Sequence, residues 1–410
     1  MLADVRRERY LAQLARWSDA PVVTVLRGVR RCGKSVLLQQ YAADLRRQGV
    51  PGDRVILINF ESLANAHLAT YQALYDHLMN WAGAAVGRVH ILLDEIQLVD
   101  QWEKAVNSLR VDLDADIVIT GSNAWLLSND LATLLTGRYV ELDIYPLSFA
   151  EHIDFSRALG RADDVATAFA DYLQAGGMPG VHQVAGTDAA MTYLHDVSNS
   201  ILLKDVVARN KLRDVDLLER LLAFLMSNIG QTFSANKVSG FMKNQRRSLG
   251  SETIYNYLHA LVDACLIHKA ERFDIKGRRT LETQEKYFIA DHGFVHSWLG
   301  YRPQEIPGFL ENIVYMELRR RGYGAHIGKQ SDREIDFVAD RAGERIYLQV
   351  CYVMPDQTTI DREFAPLETI RDNYRKIVLS MDPGPPSQHN GIQRRYLPEF
   401  LLDDQWGISG

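Results

Sequence analysis

The chain has 410 residues, of which 47% are hydrophobic and 24% charged, and its net charge is −6. Those averages exclude a disordered or low-complexity chain, and the length exceeds the about 100–200 residues of one domain. No apolar run reaches the roughly 18 residues of a membrane helix, the N-terminus lacks a signal-peptide core, and Cys32, Cys265 and Cys351 fit neither a disulfide framework nor a zinc site. The expectation is therefore a soluble, cytoplasmic protein with no membrane partner, too acidic to coat nucleic acid indiscriminately.

Residues 22–27, Val-Val-Thr-Val-Leu-Arg, read as a buried strand, and Gly28-Val29-Arg30-Arg31-Cys32-Gly33-Lys34-Ser35 follows without a gap. The next segment, Ser35 to Arg47, carries Val36, Leu37, Leu38, Tyr41 and Leu45 at helical spacing. Strand, GxxxxGKS loop and helix in this order form a phosphate-binding loop. Its glycines let backbone N–H groups wrap phosphates, and the helix N-terminus adds about half a positive charge. The expected ligands are ATP and Mg²⁺. Gly28, Arg30, Arg31, Cys32, Gly33, Lys34, Ser35 and Val36 form the nucleotide-binding set; Lys34 faces the β and γ phosphates and Ser35 places its hydroxyl on Mg²⁺.

Arg54 to Asn59 supplies another strand. Val89-His90-Ile91-Leu92-Leu93 is a third, ending in Asp94-Glu95, so that Asp94 is expected on Mg²⁺ and Glu95 as the catalytic group that orients or deprotonates the attacking water. Residues 116–120 end in Gly121-Ser122-Asn123, where Ser122 or Asn123 is placed to sense the γ-phosphate. Arg138, before the strand 139–144, is the candidate arginine for transition-state charge, supplied in trans within a homo-oligomer or ring, or else an ordinary surface arginine. Alternating β and α units with ligands at strand C-terminal ends predict a doubly wound parallel-sheet ATPase core.

From Val165 to about Asp216 the pattern is helical and broken at Gly176-Gly177-Met178-Pro179, which reads as a helical lid; Arg209 or Arg213 is a lesser phosphate candidate. Residues 217–229, 234–242 and 251–264 predict three helices, followed by strands 266–273 and 280–288 around the turn Ile275-Lys276-Gly277-Arg278, the order of a winged helix. Between Ala235 and Arg279 nine basic residues stand against four acids. Lys237, Lys243, Arg246, Arg247, Lys276, Arg278 and Arg279 are the candidate DNA contacts, with DNA the expected partner; packing or oligomer contact is the other use of such a module.

The ordered stretches GVRRCGKS (28–35), LLDEIQ (92–97), ITGSNA (119–124), LTGRY (135–139), YPLSF (145–149), GGMPG (176–180), KYFIADHG (286–293) and EIDFV (334–338) resemble the bacterial and archaeal AAA+-type ATPases whose P-loop domain is fused to a C-terminal domain of unknown function. The resemblance spans essentially the whole chain and implies an AAA+ core. In the last 110 residues Glu311, Asp336 and Gln349 have a spacing similar to the Mg²⁺-binding residues of PD-(D/E)XK nucleases, with Cys351 where those enzymes carry a lysine. A neutral thiol cannot supply that lysine's charge, so the expectation is a nuclease-like fold that has lost cleavage, or else structural acids unrelated to any nuclease. The organisation expected is an ATPase core at 1–155, a helical lid at 156–216, a winged helix at 217–298 and a nuclease-like α/β domain at 299–410. The functional expectation is an ATPase that binds and remodels DNA, or alternatively a regulatory NTPase switch acting on a protein partner.

Overall fold

The structure, a computed structural model, describes residues 5–83, 86–121, 135, 137–161, 163–212, 214–244 and 250–404. It divides into two compact units, residues 1–146 with 203–209, and residues 147–202 with 210–410.

In the first unit α1 (Glu8–Trp17) precedes β1 (Val23–Arg27), α2 (Lys34–Arg47), β2 (Val55–Asn59), α3 (Tyr71–Ala82), β3 (Val89–Asp94), α4 (Trp102–Asp112), β4 (Ala115–Thr120) and β5 (Tyr139–Asp143). The strands form one sheet in the order β2-β3-β4-β1-β5, every pair parallel. Parallel pairing demands a crossover between strands, and the amphipathic helices supply it. Leu74 and Leu78 of α3 and Val106 and Leu109 of α4 pack on Ile91, Leu93, Ile117 and Ile119 of the sheet. Because β3 is buried along its whole length, its sequence is a nearly unbroken apolar run. Chain order and spatial order part at β1, which inserts between β4 and β5. At such a switch point the C-terminal strand edge opens a crevice for ligands.

The second unit begins with α5 (Phe149–Ala158), whose N-terminus is closed by a capping box between Ser148 and Glu151. There follow α6 (Val165–Ala175), α7 (Thr187–Ser200), α8 (Val215–Met226), α9 (Ala235–Asn244), α10 (Ser251–Asp263), β6 (Ile267–Asp274), β7 (Arg279–Ile289), α11 (His292–Leu299) and α12 (Ile306–Arg320). The chain closes through β8 (Gly324–Gln330), β9 (Arg333–Arg341), β10 (Glu344–Val350), α13 (Gln357–Glu368), β11 (Arg375–Ser380), β12 (Ser387–His389), β13 (Ile392–Tyr396) and α14 (Leu397–Leu402).

The expected order of three helices and a hairpin is present, but the boundary expected at 298/299 is not a domain boundary. β6 pairs in parallel with β8 through Arg272–Ile327, Phe273–Gly328 and Asp274–Lys329. The hairpin is thereby one edge of a mixed eight-stranded sheet, β12-β13-β11-β10-β9-β8-β6-β7. The expected lid at 156–216 likewise groups with the C-terminal residues, apart from 203–209. One reason is the buried Asp291 carboxylate, which accepts the N–H groups of Gly177 and Gly293 at 2.6 and 2.8 Å. Burial pushes that carboxyl up to about 7, against the pull of the two amides.

Candidate nucleotide site and the carboxylate clusters

The loop between β1 and α2 is framed by two glycines. A Cβ at Gly28 would collide with the carbonyl of Ile144, and Gly33, with φ of +105°, is the left-handed N-cap of α2. Below the loop, Cys32 is fully buried and its thiol donates to Ile144 O at 3.2 Å. Lys34 is also buried and donates to Gly28 O at 2.8 Å and Val29 O at 3.3 Å. Its ammonium therefore braces the loop from inside. Arriving phosphate oxygens would replace neutral carbonyl acceptors with charged ones, which bind an ammonium more strongly.

Asp94, at the end of β3, is the hub. Its Oδ1 accepts from Thr120 Oγ1 at 2.6 Å and from Ser35 Oγ at 3.1 Å, and its Oδ2 accepts from Asn59 Nδ2 at 2.9 Å. Burial pushes the Asp94 carboxyl above its ordinary range, while the Thr120 and Ser35 hydroxyls pull it back. All three partners are neutral, and among the described residues Asp94 forms no ion pair. The carboxylate is thus oriented by neutral donors, with the Lys34 ammonium near enough to favour its charged form. Glu95 follows with φ of +58°, a left-handed conformation costly for a residue with a Cβ. The turn is fixed by Glu95 N donating to Thr120 Oγ1 at 3.1 Å and by Gln97 Nε2 donating to Glu95 Oε2 at 2.5 Å. These bonds hold the half-buried Glu95 at the strand edge beside Asp94.

Ser35, Asp94 and Glu95 meet at the ends of β3 and β4, and Lys34 opens α2 next to Ser35. Asn59 and Thr120 were missed, although both are the last residues of strands that flank or neighbour β3, where α/β folds gather ligands. Arg30 departs from expectation. Its guanidinium forms a bidentate pair with Asp205, both bonds 3.0 Å, so this side chain is directed to Asp205 instead of the phosphates. Asp205 is buried, on the π-helical turn Ile201–Val207 within the segment that returns to the first unit. Arg7, also unforeseen, is buried and donates to Cys32 O at 3.0 Å and Tyr145 O at 2.9 Å, tying the loop to the end of the sheet.

Arg31 has φ of +66° and an exposed side chain, and Val36 is 37% exposed on α2. Arg138 is exposed at the start of β5, where its carbonyl accepts Val23 N. The five residues of β1 at about 3.3 Å each separate it by about 16 Å from its own phosphate loop. Arg209 belongs to the P-loop unit, while Ser122, Asn123, Arg213 and the side chains of Lys243, Arg246 and Arg247 lie outside the described residues. Lys237, Lys276, Arg278 and Arg279 are exposed.

The second carboxylate cluster is built differently. Glu311 on α12 and Glu334 and Asp336 on β9 face Lys286 of β7, which is 2% exposed and lies 3.1 Å from Glu311 and 2.8 Å from Glu334. Burial lowers the lysine's affinity for its proton, but Glu311, Asp336 and Glu334 outweigh it and hold the ammonium above the usual lysine range. Burial drives Glu311 and Asp336 upward, with Lys286 opposing. Asp336 accepts Val350 N at 2.7 Å, and Gln349 donates to Glu363 at 3.4 Å. The Cys351 thiol is pushed up to about 12 by burial and stays neutral. Among the described residues no three of His, Cys, Asp and Glu are grouped to hold a metal. The cation in this cluster is Lys286, carried on β7.

A five-stranded parallel sheet with a glycine-framed loop and strand-end acids defines an α/β core of the P-loop ATPase class. Residues 21–153 match the family described as AAA domain, and residues 166–305 match a domain of unknown function (DUF8612). An uncharacterized protein of Haemophilus influenzae is 38% identical over 400 residues, 98% of this chain and 99% of that one. The chain belongs to the family of that protein, with the AAA domain in its N-terminal part. It is also similar to the uncharacterized protein MJ1544 of Methanocaldococcus jannaschii, 29% identical over 357 residues, 84% of this chain and 78% of that one. Among solved structures it is similar to the Walker-type ATPase PABY2304 of Pyrococcus abyssi, at 15% identity and a TM-score of 0.49 over 72% of this chain and 99% of that chain. Among the described residues no helix is long and apolar enough to cross a membrane.

Proposed function

We propose that the first unit binds and hydrolyses ATP and that nucleic acid, met by the basic surface of the second unit, is what the hydrolysis acts on. The observation that carries the ATPase reading is the hydrogen-bonded hub at Asp94, joining Ser35 of the loop to the ends of β2 and β4. Ser35 and Asp94 are the residues that would hold Mg²⁺, since one offers a hydroxyl oxygen and the other a carboxylate that forms no ion pair among the described residues. When bound, that ion neutralises phosphate charge.

Lys34 and the loop N–H groups bind the β and γ phosphates. Glu95, held by Thr120 and Gln97, orients a water and accepts its proton as the oxygen attacks the γ-phosphorus. The bond from that phosphorus to the bridging oxygen breaks, and ADP leaves with the electron pair. Arg138 lies too far along the sheet to serve its own chain's phosphates, so in this reading it acts only in trans, in an oligomer.

For the partner, the support is four exposed cations, Lys237, Lys276, Arg278 and Arg279, on a helix–helix–helix–hairpin element of an otherwise acidic chain. The test is steady-state ATP hydrolysis with single-stranded, duplex and branched DNA at low and physiological salt, with Glu95→Gln as the blank. A several-fold stimulation that fades with salt is expected. Turnover indifferent to every nucleic acid would move the assignment to a switch that acts on a protein partner.

A further inference from the structure

In the second unit, the β6–β7 turn, the β9–β10 turn and the segment before β11 enclose a groove of about 730 Å³. Its charges are unevenly matched. Asp340 is held by Arg345 through two bonds of 2.7 and 2.9 Å, and Glu344 by Arg375 at 2.8 Å. Asp372 accepts the Tyr347 hydroxyl at 2.6 Å. By contrast Lys276, Arg278 and Arg371 are exposed and form no ion pair among the described residues. The same groove is lined by Tyr374, 46% exposed and braced edge-on by the buried Tyr347, ring centroids 6.4 Å apart. The Arg345 guanidinium lies 4.7 Å from the Phe273 ring and 5.8 Å from the Tyr374 ring, which extends the flat surface.

We propose that this groove binds a short stretch of single-stranded nucleic acid, with a base stacked on Tyr374 and phosphates on Lys276, Arg278 and Arg371. The proposal deepens, and rests on, the nucleic-acid part of the reading above. Three cations without an ion pair among the described residues, in one groove with a braced aromatic ring, are what a strand with exposed bases and regularly spaced phosphates requires. A duplex meets such a groove poorly, because its base faces are already stacked inside. The volume falls within the about 300–1,000 Å³ that encloses a small ligand, so the groove takes a few nucleotides and the remaining length runs outside.

The experiment measures fluorescence anisotropy of labelled oligothymidylate with the full chain and its variants. Tyr374→Ala is expected to weaken binding about 5- to 100-fold, with Tyr374→Phe retaining it. The double change Lys276→Glu and Arg278→Glu is expected to lower the slope of log affinity against log salt by about 1–2. Unfolding midpoints of the variants exclude a folding defect. Unaltered binding in every groove variant, alongside loss in Lys237→Glu on α9, would overturn the groove while leaving the nucleic-acid reading intact. Thymidine monophosphate binding as tightly as the oligonucleotide, or duplex competing as well as single strand, would also overturn it. No binding of any nucleic acid by the wild-type chain would remove both readings together.

Discussion

The hub at Asp94 and the cluster around Lys286 both collect acids at the ends or faces of strands, yet they are prepared for opposite tasks. Asp94 is oriented by two hydroxyls and an amide, neutral groups that fix its geometry without an ion pair among the described residues. Glu311 and Glu334 already share a buried ammonium. A carboxylate with neutral donors retains its attraction for an arriving cation, whereas one paired to a fixed lysine must first lose that partner. Counting acids therefore does not identify a metal site; the charge of their partners does.

The strongest way to break this contrast is to remove Lys34. Lys34→Ala should abolish tight ATP binding, a loss of about 10²-fold or more measured by titration calorimetry, because the acceptors it now serves among the described residues are neutral carbonyls. Next in size is Lys286→Met, expected to destabilise the protein by about 3–5 kcal/mol in denaturant titration, since it leaves buried acids without their counter-charge. Nucleotide binding should survive that change; equal losses of stability and binding would erase the distinction. Asp205→Ala should cost less, about 1–3 kcal/mol, by releasing a partly exposed Arg30, and unaltered stability would show the pair to be idle.

The smallest effect concerns pH. Burial holds His152 and His182 down at about 3 and about 4, against an ordinary value of 6.5, with His182, His292 and Arg161 adding to the shift of His152 and Arg161 to that of His182. A depressed folded value means that the unfolded chain takes up protons first. The contribution to stability is complete above about 6.5 and is lost as pH falls toward 3–4. His152→Phe should flatten the loss by about 1–2 kcal/mol near pH 5, read from unfolding midpoints.

The nucleotide loop and Asp94-Glu95 were legible in the sequence because each is a run of consecutive residues attached to an apolar strand. Thr120 and Asn59 required the order of the strands, since only adjacency of β2, β3 and β4 brings their ends to one carboxylate. Asp205 carried no signal, being 175 residues from Arg30. The hairpin's union with β8 was hidden for a similar reason: local alternation predicts a strand but not its neighbour. Lys286 escaped because the local pattern of β7 does not show that α12 and β9 bring Glu311 and Glu334 to it.

The most direct test of the account compares ATP binding and single-turnover hydrolysis in the wild type and Glu95→Gln. Binding of ATP with near wild-type affinity and hydrolysis slowed by about 10²-fold or more is the predicted result, because only the proton acceptor has changed. Undiminished hydrolysis in Glu95→Gln would contradict it, and the chemistry would have to be sought away from the end of β3.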